Sequence, residues 1–297
     1  MLRRSVVLLS VVLALVGAGC QGAGEPPVDR LDSAPRDPSS APLPQASSTD
    51  DAGEGPAEEL PEGVSPAPAW LGERPLPVDA NGFGKATNTP KILRDRRLAT
   101  VDLLPPPAKG DFIVSIRPIP EAVLRRSTWE PACPVRKQDL AYLKMTFWGF
   151  DEMPHTGEMI VHKKVAPNIA GVFQQLYRAR WPIEEMRVTR ADELGAPPTG
   201  DGNNTSAFVC RDARQSDEWS EHAYGLAIDV NPFHNPYMRD DVTLPELALA
   251  YRDRGWRRTG MVRSGDVVTE AFAAIGWEWG GGWTSSKDWM HFSLSGG

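Results

Sequence analysis

The chain has 297 residues, including 27 glycines and 28 prolines, and its formal net charge is −7 at pH 7. The charge is uneven, because residues 21–80 hold twelve acidic and three basic side chains whereas residues 81–297 are neutral overall. A neutral globular part gives no electrostatic reason to bind nucleic acid, so we expect no nucleic-acid partner.

The N-terminus has the layout of a targeting segment. Arg3 and Arg4 precede an apolar run of about 12 residues, shorter than the ~20 residues that a membrane span needs. Small residues at positions 17–19 then precede Cys20. This layout predicts a secretory signal peptide over residues 1–19. It also resembles the bacterial lipobox, whose cysteine is lipidated. The alternative is an ordinary signal peptide followed by an incidental cysteine.

Residues 20–85 are predicted to form a disordered tether. The stretch 21–80 contains 12 of the 28 prolines and a single aromatic residue, Trp70. Such a segment cannot bury enough apolar surface to offset its chain entropy. We therefore expect a folded domain over residues 86–297. We also expect an extracytoplasmic protein that a lipid on Cys20 anchors to a membrane.

The folded part mixes short strands with helices. Alternating or β-branched runs predict strands at residues 111–117, 143–150, 158–162, 186–190, 206–210, 225–230 and 289–294. Helical periodicity predicts the main core helix at 165–177 and a further helix at 267–275, and a capping box at 243–246 predicts a helix to about residue 254. Since strands and helices do not alternate regularly, the predicted fold class is α+β, with a small, largely antiparallel sheet and flanking helices.

Export also determines what we expect of the cysteines. With Cys20 lipidated, Cys133 and Cys210 remain as an even pair in an oxidising compartment. We therefore predict a disulfide between them. The alternative is two buried thiols.

Two histidines stand among residues that suit metal chemistry. His222 lies in SEHAYGLAID at 220–229, and His291 lies in DWMHF at 288–292. A catalytic zinc site uses three protein ligands plus a water, and zinc accepts both imidazole nitrogen and carboxylate oxygen. The two histidines and Asp229 meet that count, and Asp288 supplies a spare carboxylate as general base. The alternative for a lone histidine in an apolar strand is an ordinary core residue.

The full pattern Ser-x-His-x-x-Gly-x-Ala-x-Asp, followed downstream by Asp-x-x-His-Phe, resembles the zinc D-alanyl-D-alanine carboxypeptidase family. This family includes VanX-like and VanY-like enzymes and phage L-alanyl-D-glutamate endopeptidases. The resemblance covers about residues 186–294, which we take as the catalytic core. It implies the hedgehog-like zinc peptidase fold of this group.

The resemblance also implies roles for individual residues. His222, Asp229 and His291 would bind Zn²⁺, and Asp288 would activate water. Arg211 matches the arginine that steadies the developing oxyanion or the substrate carboxylate, with a surface or ion-pair role as the alternative.

Ser220 matches a serine near the first metal ligand that supports the ligand or bonds the substrate, with simple turn chemistry as the alternative. The implied function is zinc-dependent hydrolysis of peptidoglycan stem peptides in cell-wall remodelling, by a monomer. The bond would be that of a D-Ala-D-Ala carboxypeptidase or an L-Ala-D-Glu endopeptidase. The alternative is a non-catalytic, zinc-containing lipoprotein that binds peptidoglycan, but no ligand position or Asp288 is lost, which favours the enzyme.

Overall fold

Short antiparallel strands and a few helices build the part of the chain that the computed structural model describes, residues 59–79, 83–214 and 216–296. The strands are β1 (Val114–Arg117), β2 (Leu140–Trp148), β3 (Pro154–His162), β4 (Ala227–Asp229), β5 (Tyr237–Arg239), β6 (Val242–Leu244), β7 (Glu278–Trp279), β8 (Lys287–Asp288) and β9 (His291–Ser293). The α-helices are α1 (Glu121–Arg126), α2 (Ala166–Arg178) and α3 (Val267–Ala273). The 3-10 helices are Lys91–Leu93, Lys137–Asp139, Ala191–Glu193, Glu221–Tyr224, Glu246–Arg252 and Gly280–Gly282. Within these ranges no helix is long and apolar enough to cross a membrane. The predicted signal peptide and Cys20 lie outside the described residues.

The strands form three separate antiparallel sheets of three strands each, ordered β1-β2-β3, β4-β9-β7 and β6-β5-β8. The α+β class and the antiparallel pairing are therefore confirmed. The prediction of one small sheet is wrong, because the strands after β3 are only two or three residues long and pair in two local groups.

Helix α2 connects the first sheet to the second. Its apolar face includes Val172, Phe173 and Leu176, which are all buried. These side chains share one core cluster with Ile228 of β4 and Phe292 of β9. The periodic helix predicted from the sequence therefore supports the sheet that carries the candidate site.

A disulfide joins Cys133 to Cys210, as expected from the sequence. It lies in a second core cluster that also contains Phe208. The backbone N–H of Cys210 donates to Thr128 Oγ1 at 2.9 Å. The segment that leads into Arg211 is thus fixed twice, by the covalent bond and by this hydrogen bond.

Two predicted strands, 186–190 and 206–210, are not regular strands. These segments pair only through isolated bridges, of Arg190 with Ser127 and of Ser206 with Asp229, and a further bridge joins Glu185 to Asn204 just before each segment. Near these bridges, a hydrogen bond to a side chain takes the place of a backbone–backbone hydrogen bond. The backbone N–H of Arg187 donates to the side chain of Asn204 at 2.9 Å. The β-like composition of the segments therefore reflects burial rather than continuous pairing.

The predicted capping box at 243–246 is also wrong. Thr243 belongs to β6, and Pro245 occupies the N-cap of the 3-10 helix Glu246–Arg252 without a side-chain cap. The carboxylate of Glu246 instead accepts the backbone N–H of Gly84 at 3.1 Å.

Part of the stretch predicted as tether, residues 59–79, contacts the folded domain. Trp70, Leu71 and Leu76 pack against a third core cluster, and Leu76 N–H donates to the carbonyl of Pro198 at 2.7 Å. The described residues, from 59 onward, all belong to one compact unit. A few apolar side chains are enough to hold this proline-rich stretch against the domain.

Candidate metal centre

Asp229 and His291 are held side by side by the register of the second sheet. Asp229 ends β4, His291 begins β9, and the two are direct antiparallel partners. Direct partners point their side chains to the same face of a sheet. His291 Nδ1 accordingly lies 3.2 Å from Asp229 Oδ1. Pairing of the strands thus joins two residues that are 62 positions apart.

His222 approaches the same carboxylate from the 3-10 helix Glu221–Tyr224. Ser220 caps this helix, because its Oγ accepts the backbone N–H of His222 at 3.3 Å. Gly225 ends it with φ +67°, and a Cβ there would lie 2.6 Å from the backbone nitrogen of His162. His222 Nε2 lies 3.3 Å from Asp229 Oδ2. Ser220 therefore has the turn role, and through it orients the histidine.

The donor set fits a divalent cation. The ligand atoms of His222, Asp229 and His291 all lie within 4.8 Å of one another. His222 Nδ1 is 2.6 Å from the carbonyl of Ala207, which can only accept a hydrogen bond, so Nδ1 carries the proton. In the neutral ring, Nε2 then presents a lone pair toward the Asp229 carboxylate. Acceptors that converge in this way suit a shared cation, and two imidazoles with one carboxylate suit zinc.

Asp229 remains ionised in this setting. Burial by itself would raise the pKa of Asp229, but His222 and His291 outweigh burial and hold that pKa well below its usual range. A carboxylate that stays charged next to two imidazoles is the form that binds a metal.

Asp288 stands beside this group with an unused carboxylate oxygen. Burial raises the pKa of Asp288 to about 7, and the negative charge of Asp229 adds to the rise, while His291 and Arg211 oppose it. Among the described residues Asp288 Oδ1 is buried without a hydrogen-bond partner. Gly280 allows the close packing here, because a Cβ at that position would lie 2.7 Å from the Asp288 carbonyl oxygen. A buried, unpartnered oxygen is available for a proton transfer.

Arg211 is half-buried and close enough to the centre to sense its charges. Burial and the nearby Arg214 lower the pKa of the Arg211 guanidinium, whereas Asp229 and Asp288 raise it. Its Nη1 donates to the carbonyl of Asp212 at 3.0 Å. Among the described residues no carboxylate forms an ion pair with Arg211, so the ion-pair alternative finds no support, whereas its partial exposure leaves the surface alternative open.

The other histidines lie outside the group. Burial would lower the pKa of His155, but hydrogen bonds to Asp151 and Asp102, each 2.9 Å long, raise it. His234 is fully buried, which lowers its pKa to about 3. His162 ends β3 and is half-buried. None of the three is within the convergent ligand set.

Two further neighbours of the centre stand outside the motifs: Trp283, which the sequence suggests as core or cleft wall, and the carbonyl of Ala207. The Trp283 ring lies 5.6 Å from the His291 ring, centroid to centroid. Trp283 follows the run Gly280–Gly282, and this glycine-rich context was the available signal. The Ala207 carbonyl that orients His222 left no signal, because any residue supplies a carbonyl.

A family model described as D-alanyl-D-alanine carboxypeptidase matches residues 213–294. No curated protein and no solved structure matches the chain. The matched segment contains His222, Asp229, Asp288 and His291, and it begins just after Arg211. The match supports a peptidase that acts on peptidoglycan-type substrates, and with the disulfide it supports an extracytoplasmic location.

Proposed function

We propose that the protein is a zinc-dependent peptidase that hydrolyses peptidoglycan stem peptides in the cell envelope. The observation that carries the proposal is the convergence of His222, Asp229 and His291 beside the unpartnered carboxylate oxygen of Asp288. The family match over residues 213–294 supports the same chemistry. We propose the fold of the D-alanyl-D-alanine peptidase group for the domain.

In the proposed reaction His222, Asp229 and His291 would hold the zinc. When bound, zinc supplies Lewis acidity and makes water a better nucleophile near neutral pH.

The remaining steps belong to the chain's own side chains. Asp288 accepts the proton of the attacking water and later delivers it to the leaving amine. The positive charge of Arg211 stabilises the negative charge that develops on the carbonyl oxygen. Ser220 fixes the backbone at His222 and the Ala207 carbonyl holds its ring through Nδ1, so that little reorganisation is needed during the reaction.

Zinc content is the first test. We expect the purified full chain to contain about one zinc per molecule by elemental analysis. His222→Ala should lower zinc affinity by at least about 100-fold, because loss of a ligand costs more than loss of a group that only supports one.

His162→Ala is the matched control, since this half-buried histidine lies outside the ligand set and its loss should leave the zinc content unchanged. A folded, active protein without stoichiometric metal would contradict the proposal.

The competing possibility is a zinc-containing protein that binds peptidoglycan without cleaving it. Asp288 argues against it, because a binding protein has no use for a buried carboxylate with an unpartnered oxygen. Incubation of the protein with purified muropeptides, with products identified by mass, separates the two functions. Binding without products would favour the second.

We also propose that Cys20 is lipidated and anchors the domain to a membrane. The support is the sequence pattern of the first twenty residues, together with the disulfide and the family match, which both fit an exported protein. We expect Cys20→Ala to move the protein from the membrane fraction to the soluble fraction. Unchanged membrane association in this variant would reject the anchor.

A further inference from the structure

Strand β1 forms one edge of the first sheet. The sheet order is β1-β2-β3, and among the described residues no strand pairs with the other side of β1. The carbonyl of Ile113 accepts the backbone N–H of Thr146 at 2.9 Å, so residue 113 directs its backbone polar groups toward β2. Because this direction alternates along a strand, Phe112, Val114 and Ile116 direct theirs outward. These outward N–H and C=O groups can pair with a further strand.

The same edge exposes apolar side chains. Ile113, Val114 and Ile116 are 53%, 40% and 43% exposed. Val114 and Ile116 are direct partners of Met145 and Leu143 of β2, which belong to the core cluster that contains the apolar face of α2. Direct partners share a face, so Val114 and Ile116 lie on the face that α2 covers. Their exposure therefore results from the absence of a neighbour on the outer side of β1.

The charges around β1 indicate which partner fits this edge. Residues 109–121 contain the charged side chains of Lys109, Asp111, Arg117 and Glu121. Glu121 lies 3.8 Å from Arg125 of α1, whereas Asp111 and Arg117 form no ion pair among the described residues. Asp111 stands three positions before Val114, and Arg117 stands three positions after it. A second copy of this strand, antiparallel and centred on Val114, would place Asp111 opposite Arg117 twice.

Backbone geometry permits this centred register. It pairs Val114 with Val114 of the second copy, and Phe112 with Ile116 of the second copy. All of these residues direct their polar groups outward, so the two strands can form about six backbone hydrogen bonds. Pro118 follows β1 directly and has no N–H group to donate, so the pairing would end there.

The neighbouring registers lack the charge match. A shift of the centre by one residue toward the N-terminus would bring Arg117 opposite Lys109, and a shift toward the C-terminus would leave Asp111 opposite Ile119. Parallel pairing in register would bring each charge beside its own copy. Like charges directly across a sheet are destabilising and opposite charges are stabilising. The positions of Asp111 and Arg117 thus select the antiparallel register centred on Val114.

We propose that two copies of this chain pair through their β1 strands, antiparallel and centred on Val114, and so form a continuous six-stranded sheet. A two-fold axis relates the copies, as in most homodimers. Since direct partners share a face, both α2 helices lie on the same side of this sheet, and Val114 and Ile116 of both copies form an apolar strip between them. The dimer goes beyond the proposed activity and replaces the monomer that the family resemblance implies.

Sedimentation velocity of the purified full chain tests the association. As the concentration rises from about 1 µM to about 1 mM, we expect the mass to increase from that of one chain to twice that value. The concentration at half conversion gives the Kd of the dimer.

Charge reversal tests the register. Asp111→Arg alone or Arg117→Asp alone should raise the dimer Kd by about 10- to 30-fold, because each change replaces two attractions with two repulsions. The double variant should restore the Kd to within about threefold of the wild type, since opposite charges meet again. Both positions are exposed, so the fold of each copy should not change. Lys91→Glu is the matched control, because it reverses an exposed charge outside the first sheet and should leave the Kd unchanged.

Disulfide cross-linking tests the register without altering the charges. Val114→Cys should give a linked dimer under mild oxidation, because directly opposed residues have Cα atoms about 5.5 Å apart, which a disulfide can span. Ile116→Cys should not, since its two copies would lie about 14 Å apart in the centred register.

Three results would overturn the proposal. One is a wild-type chain that stays monomeric up to about 1 mM. Another is a dimer whose Kd neither charge reversal changes, or in which the double variant is no tighter than the single variants, because the copies would then associate through a different surface. The third is cross-linking of Ile116→Cys as efficient as that of Val114→Cys.

Discussion

Asp288→Asn should lower turnover by about 10²–10⁴-fold while zinc stays bound, because loss of a general base typically has that effect. The amide preserves the volume of the side chain but cannot accept a proton from water. The fold should tolerate the change, since burial already disfavours the charged form of Asp288. Turnover on the cleaved stem peptide and zinc content should be measured on the same preparation.

Two further variants distinguish loss of a general base from loss of zinc and from a nonspecific effect of substitution. His291→Ala should lose zinc and activity together, because it removes a proposed ligand. Asp240→Asn is the matched control: its side chain is exposed, and its φ of +50° is one that asparagine adopts readily. It should leave both measurements unchanged.

The remaining outcomes are informative in different ways. Full turnover in Asp288→Asn would remove this residue from the mechanism. Absence of turnover in the wild type on any stem peptide, with zinc bound, would favour the binding protein instead.

The parts of the fold that follow local rules were predictable from the sequence. Helix α2 has a strict apolar period, and its observed range Ala166–Arg178 agrees with the predicted 165–177. Strands β4 and β9 were expected from short apolar runs, and both were found within the predicted ranges. Such runs report burial and backbone preference, which neighbouring residues determine.

The parts that depend on distant contacts were not predictable in the same way. Residues 186–190 have the composition of a strand, but only isolated bridges pair them, and no local pattern reports the number of partners. The proline-rich composition of residues 59–79 predicts a tether, but Trp70 and Leu76 find apolar partners in the domain.

In the candidate site, too, local sequence predicts some features and distant contacts determine the others. The motifs identified His222, Asp229, Asp288 and His291, but nothing local predicts that β4 and β9 pair in the register that joins Asp229 to His291.

Arg96 joins the segment before β1 to the rest of the domain through a buried ion pair. It is 2% exposed, and its guanidinium donates to both carboxylate oxygens of Glu184 at 2.8 and 2.6 Å and to the Asp201 carbonyl at 2.7 Å. Its guanidinium carbon also lies 4.4 Å from the centroid of the Phe233 ring. Glu184 accepts a further hydrogen bond from Asn203 at 2.9 Å. Removal of one partner of a buried ion pair is strongly destabilising, because the charge that remains is still desolvated but has lost the opposite charge that stabilised it.

Arg96→Leu should therefore lower the free energy of unfolding by about 3–5 kcal/mol, measured by urea denaturation followed through tryptophan fluorescence. The double variant Arg96→Leu with Glu184→Leu should recover much of that loss, since it leaves no unpaired charge. Arg97→Leu is the neighbouring control: its ion pair with Glu152 spans 3.9 Å and is partly exposed, so its loss should cost no more than about 1 kcal/mol. If Arg96→Leu is no more destabilising than Arg97→Leu, then burial of Arg96 against Glu184 does not hold this segment to the domain. A large effect that the double variant reverses would instead show that residues before β1 belong to the cooperative folding unit that carries the metal centre.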